Sequence, residues 1–318
     1  MKDGNEEIEL QGQPQRQVLP AGDGHQIQLL CWDALDGGPG SGAVPRAVVQ
    51  IAHGMGEHAL RYDRLARRLA AAGIAVMANQ HRGHGDDSLD ESLRGEFGAA
   101  GFDAVVSDMA QVSQHARRCH PQAPLILLGH SMGSFAAQLY ALEHSGLLAG
   151  LVLTGTAATD LLAAGRGTNR KLEDSNAGIP DPRTPFDWLS RDPAEVDKYI
   201  ADPRCGFTVT RASMVSIFST CRRTAEPDAF SRLRPDLPVY LATGDRDPVN
   251  SALAWFHPLV ERMGQAGLKD VSTRIYPGAR HEVFNETNRE QVIAELLAWI
   301  DNVIRNPDAP ALPGGQQP

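Results

Sequence analysis

The residues Gly129-His-Ser131-Met-Gly133 place a serine between two glycines, at the end of the apolar run "PLILLGH" and ahead of the helical run "SFAAQLYALEH". A serine hydroxyl becomes a useful nucleophile when a sharp turn lifts it clear of the backbone and a histidine takes its proton. The strand-turn-helix setting meets the first condition, because larger side chains at 129 or 133 would collide with the strand or the helix. With 31 glycines in the chain, about 0.15 chance matches to G-x-S-x-G are expected, so the setting carries the reading more than the pattern does. Ser131 is the candidate nucleophile.

Its partners should lie at later strand ends, in the chain order Ser, acid, His. After "PVYLATG" comes Gly244-Asp245-Arg-Asp247-Pro-Val249, and after "STRIYPG" comes Ala279-Arg-His281-Glu-Val-Phe284. A loop histidine or a turn aspartate is ordinary when met alone. In this order and spacing they fit a triad of Ser131, Asp247 and His281, although Asp245 sits two residues from Asp247 on the same loop and either carboxylate could turn toward the imidazole.

Two other chemistries are set aside. The stretch "IAHGMGEHAL" contains Gly54-x-Gly56-x-x-Ala59, the spacing of a dinucleotide-binding loop, but that use demands a carboxylate at the end of the next strand, where "IAVMANQH" has Asn79 and Gln80. His53, His58, His81 and His84 cluster in sequence without an H-E-x-x-H pattern or companion carboxylates at ligand spacing. No metal and no cofactor is expected.

The elements that must position these residues are short strands alternating with helices. "AVVQIAH", "IAVMANQ", "PLILLGH", "GLVLTG" and "PVYLATG" read as strands too continuously apolar to face water on either side, which implies a parallel sheet covered by helices. A helix from His58 to Ala72 lines one face with Tyr62, Leu65, Ala66 and Leu69 and turns Arg61, Arg64, Arg67 and Arg68 mostly outward. A last helix, opened by a Thr287-x-x-Glu290 capping box, carries an apolar stripe of Val292, Ile293, Leu296, Leu297, Ile300, Val303 and Ile304. The pattern predicts a doubly wound α/β fold.

Between Gly155 and Asp236 the alternation stops, and short helical pieces such as "DPAEVDKYI" and "ASMVSIFSTCRR" stand among Pro and Gly. The expected organisation is a core of residues 18–154 and 237–305, an insertion of 155–236 folded over one end of the sheet, and loose tails at 1–17 and 306–318. The insertion's Leu161, Leu162, Phe186, Trp188, Leu189, Phe207, Val209, Met214, Ile217 and Phe218 should mostly form its own core, with a minority lining an acyl pocket.

A net charge of -9, from 30 Lys+Arg and 39 Asp+Glu without a basic run, excludes nucleic acid as a partner. A polar N-terminus and the lack of any long apolar stretch suggest a soluble, cytoplasmic protein. Cys31, Cys119, Cys205 and Cys221, scattered without C-x-x-C spacing, read as buried small hydrophobes.

Together "HGMGEHALRY", "HRGHGD", "GHSMGS", "GDRDPV" and "YPGARHEVFNE" resemble the monoacylglycerol lipase and lysophospholipase group of serine-aminopeptidase-like α/β-hydrolases, from roughly Gly22 to Val303. The resemblance implies an α/β-hydrolase fold with a helical cap and favours Asp247 as the acid, through the group's Gly-x-x-Asp spacing from Gly244. It also implies an oxyanion hole made by the backbone N–H groups of Met55 and Met132. Gln80 stands where the group usually has aspartate, and Asp86 and Asp87 precede Ser88 where it tends to place serine directly.

The activity it implies is hydrolysis of carboxylic esters of acyl chains, monoacylglycerol or lysophospholipid in type, through an acyl-enzyme on Ser131. A small-molecule acyl ester is the expected partner, and the cap is a candidate for transient contact with a membrane surface. A peptidase or amidase would use the same parts. A non-catalytic binding protein of this fold would usually lack a triad member, and none is missing.

Overall fold

A computed structural model describes residues 13–35, 44–166 and 171–305. In chain order its main elements are β1 (Gln15–Pro20), β2 (Gln26–Trp32), β3 (Ala47–Ala52), α1 (Asp63–Ala71), β4 (Ile74–Asn79), α2 (Phe102–Cys119), β5 (Leu125–His130) and α3 (Met132–His144). There follow β6 (Gly150–Thr154), α4 (Thr159–Arg166), α5 (Pro193–Ala201), α6 (Arg211–Cys221), β7 (Val239–Gly244), α7 (Phe256–Gln265), β8 (Val271–Tyr276) and α8 (Arg289–Arg305). The strands form one sheet in the order β1-β2-β4-β3-β5-β6-β7-β8. β1 pairs antiparallel with β2 and β2 with β4, while all other pairs are parallel. This is the α/β-hydrolase fold.

Every residue of β3 to β7 is buried. Successive side chains of a strand point to opposite faces, so a strand covered on both sides must be apolar at nearly every position. In β5, Leu125 and Leu127 pack into one core with Val105 and Met109 of α2, Leu139 of α3 and Leu259 of α7. Ile126 and Leu128 pack into the other, with Leu65 and Leu69 of α1 and Ile293, Leu296 and Ile300 of α8. The chain runs from β3 outward to β4 and then returns past β3 to β5. Strand order therefore reverses between β3 and β5, and the crevice beyond their carboxyl ends is where such sheets seat ligands.

Neither β1 nor β2 is expected from the apolar runs, because β1 is an edge strand with only one face sheltered and a mostly polar sequence. Residues 15–17, expected within a loose leading segment, belong instead to β1, since Gln15, Arg16 and Gln17 pair with Cys31, Leu30 and Leu29. The remainder of that segment, residues 1–12, and the expected tail from 306 lie outside the described residues.

Arg61 does not turn outward. Its side chain is 9% exposed and paired with Glu57 and Glu282. The Thr287 capping box is absent as well: α8 begins at Arg289, and the Glu290 carboxylate is taken by Arg68. Cys31 and Cys221 are buried, but Cys205 is only half-buried and Cys119 is exposed at the end of α2.

From 155 to 236 no strand occurs among the described residues. α5 is opened by Asp192, whose carboxylate accepts from the Ala194 amide at 3.0 Å with Pro193 in the first turn. The Thr210 hydroxyl accepts from Ser213 N at 3.3 Å to open α6. Among the described residues no helix is long and apolar enough to cross a membrane.

Candidate active site

Ser131 sits between β5 and α3 with φ 52 and ψ -122, a left-handed conformation that a non-glycine residue adopts only under constraint. The constraint is visible: Ser131 N donates to Thr154 O at 2.9 Å, and Ser131 O accepts from Ser134 N at 2.8 Å as α3 begins. A Cβ at Gly129 would lie 2.6 Å from Gly133 O, and one at Gly133 would lie 2.1 Å from Ala52 O. Both flanking glycines are thus required by the closeness of β3, β5 and α3.

The imidazole lies at the next strand ends. His281 Nδ1 is 2.9 Å from Asp247 Oδ1 and 3.0 Å from Oδ2, with the histidine 2% and the aspartate 0% exposed. Asp247 Oδ1 also accepts from Val249 N at 2.8 Å, which pins the carboxylate. Asp245 is turned elsewhere, accepting from Gly278 N at 2.8 Å. A Cβ at Gly244 would meet Ala279 O at 2.0 Å, so a glycine there lets the loops after β7 and β8 touch.

The His281 ring lies between His130, 4.6 Å away, and Trp188, 5.0 Å away. Burial holds His130 down at about 3, so it is a neutral neighbour whose Nδ1 is 3.0 Å from Thr154 Oγ1. The backbone of His281 is fastened to the insertion: His281 N donates to Trp188 O at 3.3 Å and Glu282 N to Leu189 O at 2.8 Å. Arg280 Nη1 adds a bond to Ser190 O at 3.0 Å.

The loop after β3 is held on both sides of Met55. Gly54 N donates to Glu57 Oε1 at 2.5 Å, and Gly56 N donates to His84 Nε2 at 3.2 Å. The Met55 amide between them has no acceptor among the described residues, nor does the Met132 amide at the start of α3, where helices leave N–H groups free. Ser131, Met55 and His281 line one small cavity of about 20 Å³ with Trp188, Glu57, Tyr199 and Glu282.

A second, mostly apolar cavity of about 90 Å³ adjoins it through Ser131, Met55 and Trp188. Of the apolar residues expected in the insertion, Leu162, Trp188, Met214, Ile217 and Phe218 line it. Phe186 and Leu161 instead pack against the core, and Val209 is buried within it. Phe207 lies tilted against His84, ring centres 5.0 Å apart, and Leu189 lines the smaller cavity.

The clustered histidines are structural groups. His53 Nε2 accepts from His81 N at 3.0 Å, and the His53 and His81 rings lie 4.3 Å apart. Burial pushes His53 and His84 down to about 3 and His81 well below its usual range, so all three are neutral at pH 7. His58 leaves this group, its Nε2 2.9 Å from Asp202 Oδ2. Cys205 brings a third ligand-type atom within 4.8 Å of those two. The guanidinium of Arg204 already occupies Asp202 through both oxygens, at 3.0 and 2.9 Å, a cation where a metal would need a free carboxylate.

Sequence reading misses the polar group of Glu57, Arg61, Tyr199 and Glu282 beside His281. The only trace of it is the i,i+4 spacing of Glu57 and Arg61, which resembles a surface helix pair.

Residues 43–288 match the family described as serine aminopeptidase, S33. The chain is 33% identical to a protein named monoacylglycerol lipase from Mycolicibacterium smegmatis, over 80% of this chain and 88% of that one. It is 30% identical to monoglyceride lipase from Homo sapiens, over 80% and 82%. Among solved structures, a thermostable carboxyl esterase from Bacillus coagulans superposes with a TM-score of 0.79 at 28% identity, over 92% of this chain and all of that one. A soluble variant of monoglyceride lipase from Saccharomyces cerevisiae shares the fold with a TM-score of 0.74 at 20% identity, covering 92% and 97%.

Proposed function

The chain belongs to the serine aminopeptidase S33 family of α/β-hydrolases, and from that premise we propose that it is a carboxylic ester hydrolase acting on monoacylglycerol-type esters through an acyl-enzyme on Ser131. The observation that carries this reading is the buried Asp247–His281 pair opening on the cavity that also holds Ser131. With Nδ1 bound to the carboxylate, His281 presents Nε2 as the base. It takes the Ser131 proton as Oγ attacks the ester carbonyl, and the oxyanion that forms is met by the Met55 and Met132 amides. His281 then returns the proton to the departing alkoxide, and water repeats the sequence on the acyl-enzyme. Residues 155–236 act as a cap whose apolar cavity takes the acyl chain.

The family's description raises a second reading, an aminopeptidase. Its substrate would bring an ammonium group, which needs a carboxylate free to receive it. Glu57 and Glu282, the carboxylates that line the Ser131 cavity, are both occupied by Arg61. That arrangement favours an uncharged acyl group, such as the fatty acyl chain of a glyceryl ester.

Two measurements test the proposal. A fluorophosphonate probe should label wild-type protein on Ser131, and Ser131→Ala should lower ester turnover by several orders of magnitude with the fold intact. Substantial activity in a folded Ser131→Ala protein would overturn the mechanism. Faster turnover of aminoacyl arylamides than of glyceryl esters would overturn the substrate class.

A further inference from the structure

The polar group beside His281 connects the two loops that the proposed reaction uses. Glu57 closes the loop after β3, and Glu282 follows His281 on the loop after β8. Arg61 lies between them, its Nε donating to Glu57 Oε2 at 3.2 Å and its Nη2 to Glu282 Oε2 at 2.5 Å. The other Glu57 oxygen accepts from Gly54 N at 2.5 Å and from the Tyr62 hydroxyl at 2.8 Å. An unbroken chain of contacts therefore runs from the amide before Met55 to the residue after His281. The Arg61 guanidinium also lies over the Tyr199 ring at 4.8 Å, and the Tyr199 hydroxyl donates to Gly56 O at 2.8 Å.

The burial of this chain distinguishes it from the ordinary ion pairs of α1. The side chains of Arg61, Glu57 and Glu282 are 9%, 5% and 6% exposed. Arg67–Asp63 and Arg68–Glu290 join helix surfaces at which solvent competes. Shielded from water, charge-assisted bonds in a fixed guanidinium fork specify geometry as well as energy. The fork ends on the loop that carries the Met55 amide and on the loop that carries His281, two groups whose spacing decides whether one reacting carbonyl can meet both.

We propose that Arg61 is a positioning residue, which sets the separation between the Met55 amide and the His281 imidazole through its two carboxylates. The inference rests on the Ser131 ester-hydrolase reading. A lysine has one charged point where the arginine has a fork, so it can satisfy one carboxylate well but not both at their present spacing.

The test is Arg61→Lys, with glyceryl ester kinetics, the inhibition constant of an alkylboronic acid that mimics the tetrahedral intermediate, and the melting temperature. A misplacement on the order of 1 Å away from the chemistry lowers turnover about 100-fold. We expect kcat to fall by that order, KM to stay within about twofold, and boronate affinity to fall in step with kcat, because the interaction lost belongs to the transition state. A folded Arg61→Lys protein with kcat within threefold of wild type overturns the inference, as does a loss of kcat without a loss of boronate affinity. If Arg61→Lys does not fold, Glu282→Gln loosens one arm and keeps the Arg61–Glu57 pair. A parallel loss of kcat and boronate affinity of about tenfold is then expected, and unchanged values overturn the inference. Fluorophosphonate labelling of the wild type keeps the two ideas separable. Failure of labelling removes the hydrolase reading, whereas normal labelling with unaffected variants removes only the role of Arg61.

Discussion

Replacing Gly155 by alanine adds one carbon atom, and the structure says where it goes. Gly155 follows β6 with φ +54, and a Cβ there would stand 2.6 Å from His281 Cε1, 3.0 Å from His281 Nδ1 and 2.8 Å from His130 Cε1. Ordinary carbon–carbon contact is about 3.5–4.0 Å, so the imidazole must retreat by roughly 1 Å. The ring has little room, for Trp188 lies 5.0 Å away on one side, His130 4.6 Å away on another, and Asp247 holds Nδ1 at 2.9 Å. A displacement of this size should lower kcat/KM for a short acyl ester about 100-fold. The left-handed backbone adds about 1–2 kcal/mol of strain and the overpacking about 1–3 kcal/mol, well within what a large domain tolerates at 25 °C. Gly146→Ala is the control, since a Cβ at Gly146 would meet nothing within 4 Å. Initial rates on a p-nitrophenyl ester at 25 °C, with the fold checked by near-ultraviolet circular dichroism, decide the matter. A folded Gly155→Ala protein at half the wild-type rate would refute the claim that ring position limits turnover.

Asp247→Asn should lower kcat/KM by about 10⁴ through the wrong imidazole tautomer. Asp245→Asn, which only loosens the Gly278 turn, should cost less than tenfold; the reverse ranking in the same ester assay would reassign the acid. Phe218→Ala, in the wall of the apolar cavity, should move the acyl preference toward longer chains, since each buried methylene contributes up to about 0.8 kcal/mol. Acetyl ester turnover should stay within twofold, and a constant ratio of long to short kcat/KM would remove this cavity as the acyl site. His53, His84 and His130, neutral in the fold with values near 3 against 6.5 in the open chain, stabilise the protein fully above pH 6.5. That contribution is lost as pH falls from 6.5 toward 3, because the unfolded chain then binds protons that the fold refuses. Urea midpoints should therefore drop steeply between pH 7 and pH 5, and a flat profile would contradict the burial of these rings.

The central strands are legible because burial on both faces leaves a mark that needs no context. A run such as "LILLGH" in β5 has to be apolar at positions that point up and down alike. The Ser131, Asp247 and His281 positions are legible for a related reason. Ser131 directly follows β5, and Asp247 and His281 stand in the loops just after β7 and the edge strand β8; parallel strands bring their carboxyl ends together whatever lies between them in sequence. β1 escapes notice because an edge strand is half solvated and its Gln15, Arg16 and Gln17 look like a tail. Arg61 escapes because its burial depends on Glu282, 221 residues further along, and no local pattern distinguishes an arginine aimed at water from one aimed at a distant carboxylate. The choice of Leu162, Trp188, Met214, Ile217 and Phe218 for the cavity wall is likewise a matter of tertiary packing, since their neighbours in sequence are just as apolar.

The bonds between Trp188, Leu189 and Ser190 and the His281 loop bear on how this scaffold can be recombined. Arg191 continues the seam, its Nε 2.8 Å from Glu286 Oε2 and its Nη2 3.1 Å from Asn288 Oδ1. On the proposed reading of the apolar cavity, laboratory chimeras that transplant the whole stretch 155–236 between relatives should import new acyl selectivity and at the same time unseat the imidazole. The safer graft leaves 187–206 with the host, since Tyr199 and Gly206 hold Gly56 O, and exchanges the segments on either side of it. By that design α4 and α6, which contribute Leu162, Met214, Ile217 and Phe218 to the cavity, become interchangeable parts, and the seam stays with the machinery it aligns.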